Sequence, residues 1–204
     1  DIYFCLALQG PEAPRLLGQH LNTTVNPFQL KTLDDIIVSG TGYTGELGCE
    51  MIGPLDKLES HWEALVDMGA IPIGLGARDT LRLEKGYLLS GQDFKGTQST
   101  LETNYAWVID WDHDFIGREA LLSQKQSNFS KLSGILLEDR GVLRPGCSVF
   151  YNNNKISELT SGSLSPILRK GIGLAYTELD INSEITVEVR GKHLNGRVVR
   201  TPFL

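Results

Sequence analysis

No stretch of the sequence approaches the roughly 18 consecutive apolar residues of a membrane-spanning helix, so a helical membrane span is not expected. Cysteine is scarce. Cys5, Cys49 and Cys147 are odd in number, far apart and without CxxC spacing, which excludes a disulfide framework and suits small buried side chains in a reducing compartment. His20, His61, His113 and His193 are scattered, with no HxxxH pair, so no zinc site is indicated. Positive charge is in deficit: 19 Lys and Arg against 25 Asp and Glu give a net charge of -6. That balance argues against a nucleic-acid or anionic-membrane surface. No serine stands in a GxSxG elbow, and side-chain chemistry alone identifies no nucleophile and no general acid–base pair.

What is abundant is glycine, 22 residues in 204, and it is dense in two places. The first is SGTGYTGELGCE, Ser39 to Glu50; the second is GLGARDTLRLEKG, Gly74 to Gly86. Glycine beside hydroxyl and charged groups allows tight turns and close approach of backbone to a ligand. Gly40 to Gly45 satisfies GxGxxG, yet a dinucleotide loop must open a helix, and here a strand-like run follows. Asp110, Asp112 and Asp114 match an EF-hand loop, but its glycine and final glutamate positions are Phe115 and Leu121. A solvated acidic turn is the better reading. Asn22-Thr23-Thr24 and Asn128-Phe129-Ser130 are formal glycosylation sequons without other signs of secretion.

Periodicity organises the chain into two parts. Ile2–Leu8 reads as a buried strand, followed by a helix with Pro11 in its first position and its end near His20. Asn22–Lys31 reads as a loop, Asp35–Ser39 and Cys49–Ile52 as strands, Leu55–Met68 as an amphipathic helix closed by Gly69, and Gly74–Lys85 as a helix stopped by Gly86. Trp107–Trp111 is expected to be a strand and Arg118–Gln126 a short helix. Short strands then recur every 8–12 residues, the spacing of a small sandwich or barrel: Leu132–Leu137, Ser148–Tyr151, Lys155–Thr160, Gly171–Tyr176, Glu184–Arg190 and Arg197–Thr201. The fold class expected is α+β followed by a small antiparallel β-barrel, with domains at 1–128 and 129–204. The 41% apolar content suffices for a core in each.

Two charged residues stand out. Glu50 alternates with Cys49 and Met51 at the start of a strand, so its carboxylate can face a pocket and offer two parallel acceptors to a heterocycle's donor edge. Arg78, with Asp79 beside it, lies in the first turn of its helix, where a guanidinium can clamp a carbonyl or carboxylate. The competing reading is an internal ion-pair network of Glu50, Arg78 and Asp79 bracing two elements.

The motifs also carry a resemblance. VSGTGYTGELGCEM (Val38–Met51) and PIGLGARDTLRLEKG (Pro72–Gly86) resemble motifs of the glycine cleavage system T protein, the aminomethyltransferases. LALQGPEA, FIGREAL, RGVLRPG, TSGSLSP and RGKHLNGRVVRTPF follow in the same order, covering essentially the whole chain. The resemblance implies transfer of a one-carbon unit from an aminomethyl-lipoyl group on the carrier H protein to tetrahydrofolate, with release of ammonia. It implies no metal, and a bacterial cytoplasm or mitochondrial matrix. It assigns Glu50 to the pterin's donor edge, Arg78 and Tyr43 to the folate pocket, and Trp107 to a folate contact. Three departures accompany it. Gly40 stands where family members carry arginine. Leu47 replaces an acidic residue. The N-terminal region with the family's catalytic aspartate is absent, so this stretch is expected to be a fragment with little turnover alone. Folate-binding domains of dimethylglycine and sarcosine dehydrogenases also resemble Leu81–Tyr87 and Asp114–Leu121. A non-enzymatic iron–sulfur-assembly branch is similar around Lys85–Gln92, without its cysteine.

Overall fold

In the computed structural model, residues 2–204 are described, and they fall into two compact units that part between Leu81 and Arg82. The first unit is a four-stranded antiparallel sheet with helices on one face. Its elements are β1 (Tyr3–Gln9), α1 (Ala13–Leu21), β2 (Leu30–Leu33), β3 (Ile36–Ser39), β4 (Gly48–Pro54) and α2 (Leu58–Asp67), with strand order β1-β4-β3-β2. Period-2 alternation sends Phe4, Leu6 and Leu8 of β1, Val38 of β3, and Cys49 and Met51 of β4 to one face. There they pack with Leu16 and Leu17 of α1 and Leu65 of α2. The opposite face carries Ala7 paired with Glu50 and Cys5 paired with Ile52.

Three local expectations are corrected. The first helix starts at Ala13, with Pro14 rather than Pro11 in its first positions. The loop expected over Asn22–Lys31 ends early: Leu30–Leu33 pairs with β3 as an exposed edge strand, hidden by its polar Lys31 and Thr32. Trp107–Trp111 is no strand. Ala106–Val108 form a single 3₁₀ turn, because the apolar residues there find no partner strand.

Helix α3 (Leu75–Glu84) spans the division between the units, and Gly86 at φ 72° follows its end. The second unit adds α4 (Arg118–Lys125) and strands β5 (Lys131–Leu137), β6 (Ser148–Tyr151), β7 (Asn154–Ser165), β8 (Lys170–Thr177), β9 (Glu184–Val189) and β10 (Lys192–Val199). These strands close into a barrel in the order β10-β5-β8-β7-β6-β9. The α+β fold with a small antiparallel barrel is therefore present. The barrel core is aliphatic, with Ile135, Leu137, Val187 and Val198 fully buried.

Residues 82–104 belong to the same compact unit as the barrel for a physical reason. Leu83 packs with Leu132, Ile172 and Leu174. Arg82 is paired with Asp93 at 2.8 Å, both side chains almost fully buried. Asp93 Oδ1 accepts the hydroxyls of Thr160 and Ser161 at 2.6 and 2.7 Å, and Tyr176 donates to the Asp93 carbonyl at 2.9 Å. A buried ion pair is tolerated only when its remaining polar valences are filled in this way.

Candidate functional site

The first unit holds a cavity of about 600 Å³ beside the edge strand β1. Its apolar walls include Leu6 and Leu8 of β1, Leu16 of α1, Trp62 and Leu65 of α2, and Ile71. Its polar groups are few, among them Gln9, Tyr43, Thr44, Glu50 and Arg78. A concave, mostly apolar volume with a handful of placed polar groups is the usual form of a small-molecule site.

Glu50 is half-buried on the face of β4 opposite the core, between fully buried Cys49 and Met51. Its carboxylate is held. Thr41 Oγ1 donates to Glu50 Oε2 at 2.5 Å, and the Ser39 hydroxyl lies 2.9 Å from Thr41 Oγ1, placed to donate to it in turn. Because one hydroxyl carries one proton, this two-hydroxyl chain has a single workable direction, ending on the carboxylate. No hydrogen bond of Glu50 Oε1 is found among the described residues, which leaves that oxygen for a ligand's donor. Two cysteines register the local field: burial and then the Glu50 charge push the Cys49 thiol up to about 11. Burial and Glu50 also raise Cys5, with Arg78 acting in the opposite sense.

Arg78, exposed at the cavity's edge, places its guanidinium carbon 4.8 Å from the centre of the Tyr43 ring. That is cation–π distance. The two halves of the glycine-rich pattern thus meet in one place, Tyr43 from the first and Arg78 from the second. Among the described residues Glu50 and Arg78 do not form an ion pair. Glu50 is occupied by Thr41, and Arg78 lies on Tyr43, so a brace between those two side chains does not describe the site. Trp107 belongs to the second unit, where it sits in the 3₁₀ turn, 78% exposed, its ring centroid 5.9 Å from that of Tyr105. It is not among the residues lining this cavity.

Two polar residues of the site are not apparent from motif chemistry alone. Gln9 and Thr41 look like the end of a strand and a loop hydroxyl. Parity offers a signal for Gln9, because it shares the sheet face of Ala7, which pairs directly with Glu50. Among the described residues no group of three or more His, Cys, Asp or Glu side chains is arranged to hold a metal ion. Nor is any helix long and apolar enough to cross a membrane.

Fold and cavity together define a class: an α+β unit that carries an apolar cavity, followed by a closed six-stranded barrel. The comparisons with known proteins then sharpen it. Residues 1–113 match the family model described as the GCVT N-terminal domain, and residues 131–204 match the glycine cleavage T-protein C-terminal barrel domain. The chain belongs to the glycine cleavage T-protein family. It is 41% identical over 220 residues to an aminomethyltransferase of Halothermothrix orenii, covering all of this chain and 62% of the relative. To an aminomethyltransferase of Pseudomonas syringae pv. tomato it is 42% identical over 210 residues, covering 98% of this chain and 58% of the relative. The crystal structure of the glycine cleavage system aminomethyltransferase T from Bartonella henselae superimposes with a TM-score of 0.90 at 28% identity, over 99% of this chain and 60% of that one. The chain therefore spans about three-fifths of the length of these relatives.

Proposed function

We propose that this chain carries the tetrahydrofolate-binding part of an aminomethyltransferase of the glycine cleavage system. In the complete reaction the one-carbon unit passes from the aminomethyl-lipoyl arm of the H protein to tetrahydrofolate, and ammonia is released. Tetrahydrofolate is here the acceptor substrate, and no metal takes part. The observation that carries the reading is the held carboxylate of Glu50 at the edge of an apolar cavity. A pterin is flat and apolar on its faces, with a ring N–H beside an amino group along one edge. A carboxylate oriented by Thr41 is a matching pair of acceptors. Tyr43, held under Arg78, supplies an aromatic surface beside it, and the guanidinium can take a carbonyl or carboxylate of the same ligand. Trp107 is retained as a folate contact on the family resemblance alone. The domain division at 128/129 is retained as a proposal beside the compact units that part at 81/82. We assign the H protein as partner and the bacterial cytoplasm or mitochondrial matrix as compartment on the same footing.

Calorimetric titration of tetrahydrofolate into the wild-type protein and Glu50→Gln tests the reading. Glu50→Gln turns one acceptor into a donor facing the pterin's own donors, a cost of about 1–3 kcal/mol. Equal affinity of the two proteins would remove Glu50 from the site.

A further inference from the structure

The Gly40–Leu47 loop contains no helix or strand of its own, yet it must present Thr41 to Glu50 and Tyr43 to Arg78 within the same cavity. One side chain outside the loop touches it repeatedly. Gln9, the last residue of β1, points its Nε2 at three carbonyl oxygens: Leu8 at 3.2 Å, Thr41 at 3.2 Å and Cys49 at 3.1 Å. Its Oε1 accepts the Thr44 hydroxyl at 3.3 Å. The orientation of the amide is fixed by chemistry, since the reverse would face oxygen with three carbonyls.

The glycines explain themselves against this side chain. A Cβ built on Gly42 would lie 1.8 Å from Gln9 Oε1, and one on Gly48 would lie 2.8 Å from Gln9 Nε2 and 2.3 Å from the Leu8 carbonyl. Neither glycine is among those with positive φ, so the backbone would accept any L-residue there. At Gly48 the Leu8 backbone refuses a Cβ, and at Gly42 a Cβ would displace the Gln9 carboxamide.

We propose that Gln9 is a positioning residue for the ligand site, its carboxamide being the post on which the Thr41–Thr44 loop is hung. Through the Thr41 carbonyl it sets the hydroxyl that holds Glu50, and through Thr44 it sets the neighbouring Tyr43 ring. The side chains nearest to glutamine in shape do not meet the requirement. Glutamate lacks the N–H donors, methionine lacks both functions, and asparagine is one methylene short. Gln9 also lines the cavity. Its assignment to folate binding rests on the proposed function above, while its hold on the loop does not.

The test joins a ligand-free and a ligand-bound readout on the full chain. Hydrogen exchange followed by mass spectrometry reports on the peptide containing Gly40–Gly48. Gln9→Ala should speed exchange there about tenfold, with the barrel strands unchanged. Tetrahydrofolate affinity should fall about tenfold in Gln9→Ala, yet fall little further when Gln9→Ala is added to Glu50→Gln, since the two act through one contact. Gly42→Ala attacks the same contact from the loop side and decides the matter even if Gln9→Ala does not fold. Its added methyl should loosen the loop while Gln9 is present, and should add nothing in the Gln9→Ala background, where the methyl has room. Unchanged exchange in Gln9→Ala and Gly42→Ala would overturn the proposal. So would fully additive losses of affinity with Glu50→Gln. If the wild-type protein bound no tetrahydrofolate, the folate reading would fall, and the exchange measurement would still judge Gln9.

Discussion

Gly40 shows how much one missing Cβ can determine at the residue scale. Its amide donates to the Gln29 carbonyl at 2.8 Å, and its carbonyl accepts from the Phe28 amide at 2.9 Å. A Cβ there would come within 2.0 Å of the Asn26 carbonyl oxygen. The space a side chain would need at this position is thus closed by the turn at Asn26–Gln29. Gly40→Ala should cost about 1–3 kcal/mol through overpacking, measured as a lower urea midpoint with an unchanged slope. Glu50 and Arg78 were legible from residue chemistry because a strand's period of two and a helix's first turn say which way a side chain faces. The hydroxyl that holds Glu50 was not legible. Thr41 sits in a loop whose path depends on Gln9, 32 residues away, and loop paths have no periodicity to read.

At the scale of elements, α1 and α2 meet through a histidine pair. His20 Nε2 lies 2.7 Å from His61 Nδ1, the rings nearly perpendicular with centroids 5.0 Å apart, and the Phe4 ring lies 5.7 Å from that of His61. Burial lowers the pKa of both. His61 further disfavours a charge on His20; Lys57 disfavours one on His61, while Asp35 favours it. The sign of the consequence is fixed. A histidine that binds its proton less readily when folded contributes stability that is fully present above the unfolded pKa, about 6.5, and is lost as pH falls through the folded value. Thermal melts from pH 7.5 to 5 should show falling stability, and His61→Gln should flatten that slope. A profile identical in the two proteins would contradict this assignment.

The same scale explains what periodicity reads well and badly. Barrel strands such as β9 and β10 announce themselves by alternation and turn residues, since alternate residues along them are buried. An apolar run without a partner, as at Trp107–Trp111, carries the same pattern and becomes a 3₁₀ turn, because pairing is decided elsewhere in the chain.

At the scale of the whole molecule, each compact unit has its own apolar core. The second contains a charge pair almost entirely out of water, Arg82 with Asp93, at 1% and 0% side-chain exposure. Asp93→Ala should destabilise the protein by about 3–5 kcal/mol, because it strands a buried guanidinium; the check is the chemical-denaturation midpoint. Little change would mean that water or another side chain replaces the carboxylate. This network also shows why composition marks a change near residue 128 while the packing divides earlier. Asp93 and Ser161 are 68 residues apart, and no local pattern reveals that partnership.

On the proposed function, the carboxylate held by Thr41 reads the donor edge of a pterin. The most direct measurement is a crystal structure of this chain soaked with tetrahydrofolate. The pterin is expected in the first unit's cavity, its ring N–H and amino group within about 3.2 Å of the Glu50 carboxylate, and Tyr43 beside the ring. A folate bound elsewhere, or one in the cavity with its donor edge turned away from Glu50, would contradict it.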